Sequence, residues 1–316
     1  MEELLNALRA AAEPTRLRLL ALCARNELTV TELCQILGQS QPRVSRHLKL
    51  LCEAGLLQRF REGTWAFFRL TSDTKSAALA RILVDQLSER DRALALDLTR
   101  LDTIRRQRAD VATAYFRRNA AQWDHIRALH VDEVEVERAL LELLPKGQIR
   151  TLLDIGTGTG RMLQLAAPRV ERAIGIDASR EMLAVARVNL DRSGLQSCEV
   201  RQADMYQLPW PNSSFDAAVF HMVLHFATAP EDAVKEAARV LRPGARLLII
   251  DFAPHKLEEL RRDHAHRHLG LAEDEVAKWC RACKLRLMPA IHLVGDPLTV
   301  CVWLAERPLH ADISGA

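Results

Sequence analysis

Apolar positions in the first 70 residues recur at helical spacing and are cut by turn signals. Pro14 suits the first turn of a helix running to about Arg25, with Leu17, Leu20 and Leu22 apolar. Thr29, with Glu32 three residues on, makes a capping box that starts a short helix through Leu37, and Gly38 ends it. Ser40 caps a third helix, QPRVSRHLKLLCEA, which Gly55 closes. Within it Val44, Leu48 and Leu51 stand at i, i+4 and i+7 and face the core. Arg46 and Lys49 therefore project from the opposite side, with Gln41, Arg43 and Ser45 near the N-terminal end, and His47 joins them as a candidate DNA contact. LLQRFREGTWAFFRL then reads as two strands around Glu62-Gly63, a hairpin whose Arg59, Arg61 and Arg69 can lie along phosphates.

A helix, a tight turn, a second helix and a basic hairpin, in that order, make an α+β winged helix. Basic residues on a helix face are usually only solvated, but the order of elements favours DNA. The stretch resembles the ArsR family of winged-helix repressors over about residues 8 to 71, through EPTRLRLL, TELCQIL, QPRVSRHLKLLCEAGLL and GTWAFFRL. That resemblance implies a homodimer on a two-fold double-stranded operator, with the long helices at either end of the domain forming the dimer contact. Metal-sensing members carry paired cysteines in the helix before the recognition helix. Here Cys34 stands alone, followed by Gln35 and Ile36, so soft-metal sensing there is disfavoured.

From about Thr74 to Arg108, leucines and isoleucines at helical spacing among many charges predict one long or broken helix for dimerisation and linkage. A helical approach from Val111 to Leu144 follows. The pattern then switches to short apolar runs between helices: TLLDI, AIGID, CEVRQAD, DAAVFHM and RLLIIDF. Strands alternating with helices predict a mostly parallel sheet of Rossmann-like α/β type, with ligands outside the carboxyl ends of the strands.

At the end of the first such strand lies DIGTGTG, residues 154 to 160. Glycines there let a backbone approach a ligand. A dinucleotide fingerprint wants its third small residue where Arg161 stands, and Gly160 comes one position early. Asp177 ends the second strand, where a carboxylate can accept both ribose hydroxyls. Asp204 and Met205 follow the third, where a carboxylate can accept from an adenine amine while the thioether packs on the ring. Any one of these acids alone could be a helix cap. Together they resemble class I S-adenosylmethionine-dependent methyltransferases over about residues 145 to 255. The resemblance implies S-adenosylmethionine as cofactor, held by Asp154, Gly156, Gly158, Gly160, Asp177, Ala178, Asp204 and Met205. It also implies a seven-stranded sheet closed by an antiparallel hairpin from KLRLMPAIHLVG and LTVCVWLAE.

His221 and His225 follow the fourth strand at the mouth facing the donor methyl, as candidate bases, with packing an equal alternative. VFHMVLHF contains neither the N/D-P-P-Y/F motif of amino-methylating DNA enzymes nor a Pro-Cys nucleophile, so a small-molecule acceptor is favoured over DNA. DHAHRHLG sets His264 and His268 on one helical face, and Cys280 with Cys283 makes a lone C-x-x-C. Neither reaches a ligand set, and no metal is expected. Tyr115, Phe116 and Trp123 suit either a lid over the cofactor or the core.

Length and charge then set the organisation. At 316 residues the chain exceeds one usual core. The division expected is a winged helix over 1–73, a helical dimerisation and linker segment over 74–110, a methyltransferase domain over 111–308 and a flexible tail over 309–316. The net charge of +3 falls entirely within residues 1 to 75, which hold 11 Lys/Arg and 8 Asp/Glu, placing any phosphate partner there. Seven scattered cysteines and the absence of an apolar run long enough for a membrane helix lead to the expectation of a cytoplasmic, reduced protein with no membrane partner. The function expected is a DNA-binding regulator joined to a small-molecule methyltransferase. The alternative is a catalytically silent domain that senses S-adenosylmethionine or S-adenosylhomocysteine.

Overall fold

The computed structural model describes residues 1–62, 65–71, 75–88, 91–127, 132–144, 147 and 149–309, the side chains of 62, 75, 109 and 111–127 excepted. It divides into two compact units, Met1–Val111 and Ala112–Ala316.

The first unit contains α1 (Glu2–Ala11), α2 (Pro14–Arg25), β1 (Leu28–Thr29), α3 (Val30–Leu37), α4 (Gln41–Glu53), β2 (Leu57–Glu62), β3 (Trp65–Leu70), α5 (Lys75–Asp85) and the start of α6 (Arg92–Arg127). Pro14 opens α2, and the Glu13 carboxylate accepts the Arg16 amide at 2.9 Å. The capping box on α3 is complete, with Glu32 accepting the Thr29 amide at 2.7 Å, and Gly38 ends the helix at φ 65°. Ser40 holds the N-cap position of α4 but its hydroxyl makes no cap bond, so the expected serine cap is not formed there. Leu19, Leu20 and Leu22 of α2, Leu33 and Ile36 of α3, and Val44, Leu48 and Leu51 of α4 share one core. Each contributes about 1.5–3 kcal/mol by leaving water. The hairpin pairs β2 with β3 in antiparallel register, and β1 joins the other edge of β3. Gly63, the expected turn glycine, lies outside the described residues.

The segment expected to be one long or broken helix is two, α5 and α6, with Asp91 accepting the Ala93 and Leu94 amides where α6 begins. The polar side of α6 is tied to α2 and α3. Asp97 is fully buried and takes both Arg18 nitrogens at 2.5 and 2.6 Å. Arg100 donates to the Ile36 carbonyl, Arg105 to Asn26, and Arg108 to the capping-box Glu32.

The second unit continues with α7 (Glu133–Leu143), β4 (Thr151–Ile155), α8 (Arg161–Ala166), β5 (Arg172–Asp177), α9 (Arg180–Arg192), β6 (Cys198–Gln202) and β7 (Phe215–His221). A 3-10 turn (Leu224–Phe226), α10 (Pro230–Val240), β8 (Leu241–Phe252), α11 (Glu258–Asp263), α12 (Glu273–Ala282), β9 (Arg286–Leu287), β10 (Ile291–Leu293) and β11 (Val300–Glu306) complete it. The sheet runs β6-β5-β4-β7-β8-β11-β10, parallel through β8 and antiparallel beyond. Seven strands were expected. The described sheet has eight, because the segment Leu285–Leu293 is broken into β9 and β10, which pair separately with β11. Alternate residues of the central strands feed two cores, Leu153 with Ile174 and Phe220 on one face, Leu152 with Val219 and Ile250 on the other. Among the described residues no helix is long and apolar enough to cross a membrane.

Candidate functional site

On α4 the side chains of Gln41, Arg43, Ser45, Arg46 and Lys49 are exposed while Val44, Leu48 and Leu51 are buried. His47 differs from this set: its ring is mostly buried and lies 3.6 Å from Glu13, turned toward the start of α2. Lys49 meets Glu53 at 3.7 Å on the surface, a pair worth a few tenths of a kcal/mol that phosphate would outcompete. On the hairpin Arg59 and Arg61 are exposed, as is Trp65. Arg69 does not join them. It is 5% exposed, donates to Gln58 at 2.8 Å and to Glu27 at 3.4 Å, and lies over the Phe60 ring. Glu27, Gln58 and the Phe60 ring cover it, so the expected phosphate contact is corrected to a structural ion pair.

In the second unit a cavity of about 1100 Å³ opens at the carboxyl ends of the parallel strands. That exceeds the roughly 300–1,000 Å³ usual for a single-ligand site. Its near wall is the glycine loop. Gly156 sits at φ 76°, and a Cβ there would fall 2.3 Å from Val223, so only glycine lets the loop close on the β7 side. Gly158, at φ 53°, has nothing within 4 Å of where its Cβ would be, which leaves its backbone open to the cavity. Gly160 is not in the cavity lining; it sits at φ 80° as N-cap of α8, close to Ala186.

The carboxylates at the strand ends have distinct settings. Asp177 lines the cavity and accepts the Gly158 amide on Oδ2 (2.9 Å) and the Ser179 amide on Oδ1 (2.8 Å), with the Ala178 amide also acting on the carboxylate. Burial raises its pKa, and the amides at Ser179 and Gly158 oppose the rise. Asp154 is wholly buried under the loop. Burial pushes its pKa up to about 7, against the Thr157 hydroxyl 2.5 Å away, and Asp177 adds to the rise. Asp204 is exposed at the rim, set by a turn in which it accepts the Tyr206 amide at 3.0 Å. Ala178 and Met205 line the same cavity, and the Ala178 carbonyl accepts from Gln202.

The far end is built after β7. His221 and His225 both line the cavity, and of the three residues between them Met222 is a non-glycine residue held at φ 55°. His225 is 3% exposed, its Nδ1 lying 2.7 Å from Asp251 Oδ1 while its amide donates to Asp251 Oδ2 at 3.1 Å. The carboxyl of Asp251 stays below its ordinary range although fully buried, because His225 and the surrounding amides outweigh desolvation.

The DHAHRHLG segment is not helical beyond Asp263, contrary to the expected shared face of His264 and His268. His264 caps α11, Ala265 takes φ 59°, and His266 turns inward, stacked on His225 with centroids 4.1 Å apart. His268 bonds the Ala227 carbonyl at 3.0 Å. Among the described residues no His, Cys, Asp or Glu group has a metal-holding arrangement, and Cys280 and Cys283 are free thiols. Thr157 and Asp251 are site residues that sequence reasoning missed, and His266, seen only as one of the histidines of DHAHRHLG, was not placed at this cavity. Thr157 stood inside the quoted motif, while nothing local marks Asp251. The side chains of Tyr115, Phe116 and Trp123 lie outside the described residues.

Comparison with known proteins agrees with this geometry. Residues 153–249 match a family model described as a methyltransferase domain, and residues 13–59 one described as bacterial regulatory protein, arsR family. An uncharacterized methyltransferase, YcgJ, of Bacillus subtilis is 36% identical over 33% of this chain and 41% of its own length. A demethylmenaquinone methyltransferase of Thermus thermophilus is 40% identical over 36% and 50%. The chain spans about half the length of the curated relatives it matches. The crystal structure of the Bacillus YcgJ protein superimposes with a TM-score of 0.50 at 20% identity, covering 54% of this chain and 97% of that one, a likeness of fold. The chain thus joins an ArsR-type helix-turn-helix region to a methyltransferase domain with the class I fold.

Proposed function

We propose that the second unit binds S-adenosylmethionine and transfers its methyl group to a small molecule, and that the first unit binds a double-stranded operator as a homodimer. The observation that carries the enzymatic reading is the single cavity of about 1100 Å³ into which Asp177, the open Gly158 backbone, Asp204 and Met205 face at one end and His221 and His225 at the other. The near end fits the nucleoside: Asp177 offers a cavity-lining carboxylate for the ribose hydroxyls, Asp204 stands at the rim for the adenine amine, and Met205 supplies a thioether for the ring. Asp154, Gly156 and Gly160 shape the loop. When bound, the sulfonium supplies an electrophilic methyl for in-line displacement. This chain's residues then position the acceptor, exclude water and take a proton. The space beyond the nucleoside end leaves room for an acceptor.

On the first unit, Gln41, Arg43, Ser45, Arg46 and Lys49 form the groove-facing set and Arg61 a phosphate contact on the wing, with His47 at the edge of that surface. A second reading makes the cofactor domain a sensor whose occupancy alters operator affinity. It is favoured by the joining of a DNA-binding region and a methyltransferase domain in one chain.

Calorimetric titration of the full chain with S-adenosylhomocysteine tests the common premise. Asp177→Ala removes both ribose contacts and should weaken binding by about 100-fold or more, at roughly 1.5–3 kcal/mol per charged hydrogen bond. Operator binding by the ligand-free variant should be unchanged. Full affinity in the variant would refute the site. An operator affinity that shifts with S-adenosylhomocysteine in a protein that methylates nothing in a metabolite extract would favour the sensor.

A further inference from the structure

The far end of the cavity holds polar atoms that the cofactor does not use. His266 is 2% exposed and lines the cavity, and neither of its ring nitrogens has a partner among the protein's own groups. Buried polar atoms are satisfied in the great majority of cases, so two idle nitrogens beside a cavity point to a ligand. Its position is enforced. The Arg267 and His268 amides both donate to the His225 carbonyl, at 2.9 and 3.1 Å, which ties the two loops together. Gly270 at φ 83° packs so close to the Ala253 carbonyl that a Cβ would collide with it.

His225 is equally constrained. Asp251 accepts the His225 and Phe252 amides and so acts as an acceptor, which assigns the shared proton to His225 Nδ1 and leaves Nε2 as a lone-pair acceptor. The Phe226 ring, 40% exposed, lies 4.1 Å from the His225 ring and 5.1 Å from that of His266, an apolar face for a flat molecule. An ammonium acceptor would want a carboxylate here. Asp251 is fully buried with its oxygens engaged, and the charged side chain nearest in sequence to His266, Arg267, is a cation that lines the cavity.

We propose that this end of the cavity binds a planar acceptor with an acidic hydroxyl, a phenol or enol carrying a second oxygen on the neighbouring carbon. His225 faces the hydroxyl and His266 the second oxygen; this rests on the methyl-transfer reading above. In the step, the acceptor O–H bond breaks and its proton passes to His225 Nε2, giving an imidazolium paired with Asp251. The oxygen lone pair forms the bond to the methyl carbon as the carbon–sulfur bond of the sulfonium donor breaks, its electron pair leaving with sulfur as a neutral thioether.

The test uses the full chain saturated with S-adenosylhomocysteine and titrated with catechol, read by calorimetry and by ring nitrogen signals of ¹⁵N-histidine protein. Catechol should bind and shift the His225 and His266 signals. Its dimethyl ether, which has no hydroxyl, should bind at least tenfold more weakly. His266→Phe keeps a ring against His225 and should weaken catechol tenfold or more while leaving S-adenosylhomocysteine affinity within twofold. If that variant does not fold, the wild-type nitrogen shifts decide alone. Equal binding of catechol and its ether, unmoved His266 signals, or no catechol binding overturns the proposal. The cofactor reading survives any of these so long as S-adenosylhomocysteine binds; if it does not, both fall.

Discussion

On α4, Arg43, Arg46 and Lys49 stand outward from a helix whose other side packs Val44, Leu48 and Leu51, whereas at the cavity Asp154, His225 and His266, with Asp251 behind His225, are polar side chains with almost no exposed surface. The two regions are polar by opposite routes. The helix face is polar because nothing in the unit covers it, and each cation stays solvated at little cost. The cavity floor is polar although covered, so every charge needs a partner and every orphan atom lowers stability. A surface of the first kind suits a salt-dependent partner such as phosphate. One of the second kind suits a small ligand that completes hydrogen bonds.

The largest expected effect comes from filling the glycine loop. Gly156→Ala places a Cβ at positive φ and against Val223, costing about 1–2 kcal/mol for the backbone and about 1–3 kcal/mol for overpacking. Calorimetry should show the melting of the second unit lowered while that of the first is unmoved. Concerted loss of both would break the separation of the regions.

Next in size is the pair of wing arginines, which divides one hairpin into the same two kinds of surface. Arg69→Ala strands Glu27 and Gln58 and should cost about 1–3 kcal/mol of stability in denaturant unfolding. Arg61→Ala should change stability by under about 0.5 kcal/mol yet lower the salt dependence of operator binding by about 0.9 in log–log slope. The reverse pattern would mean that the burial assignment fails.

The remaining contrast is read from pH. Burial holds His266 down to about 3. The unfolded ring titrates near 6.5, so the unfolded state binds more protons between those values, and the second unit should lose stability as pH falls from about 6.5 toward 3. Asp154 works the other way: folded near 7 against an unfolded value near 4, it lowers stability as pH rises through that interval. Unfolding midpoints from pH 4 to 8 should show a shallower acid-side loss in His266→Phe and a shallower neutral-side decline in Asp154→Asn.

Signals within a few residues of one another were legible before the fold was known. The Thr29–Glu32 box, the stop at Gly38, the inner and outer faces of α4, and the order of strands with Asp177 and Asp204 at their ends all follow from neighbours in sequence. Ser40 shows the limit of such signals: it has the right residue type and position, but its side chain makes no cap bond. Arg69 looked like its neighbours Arg59 and Arg61, and what sets it apart is its folded partners, Gln58, the Phe60 ring and Glu27, 42 residues earlier. The arginines of α6 were read as linker charge, yet their partners lie 64 to 81 residues away.

The sequence by itself determined the helices of the first unit, the order of the parallel strands, and which side of α4 is wet, because periodicity, capping and backbone sterics act over a few residues. The tertiary structure alone decided which ionisable groups are buried and with whom. Asp251 meets His225 across 26 residues, and His266 reaches the same cavity from a loop read as a solvated helix. Desolvation and hydrogen bonding depend on what the folded chain brings within about 3 Å, and no local pattern encodes that distance.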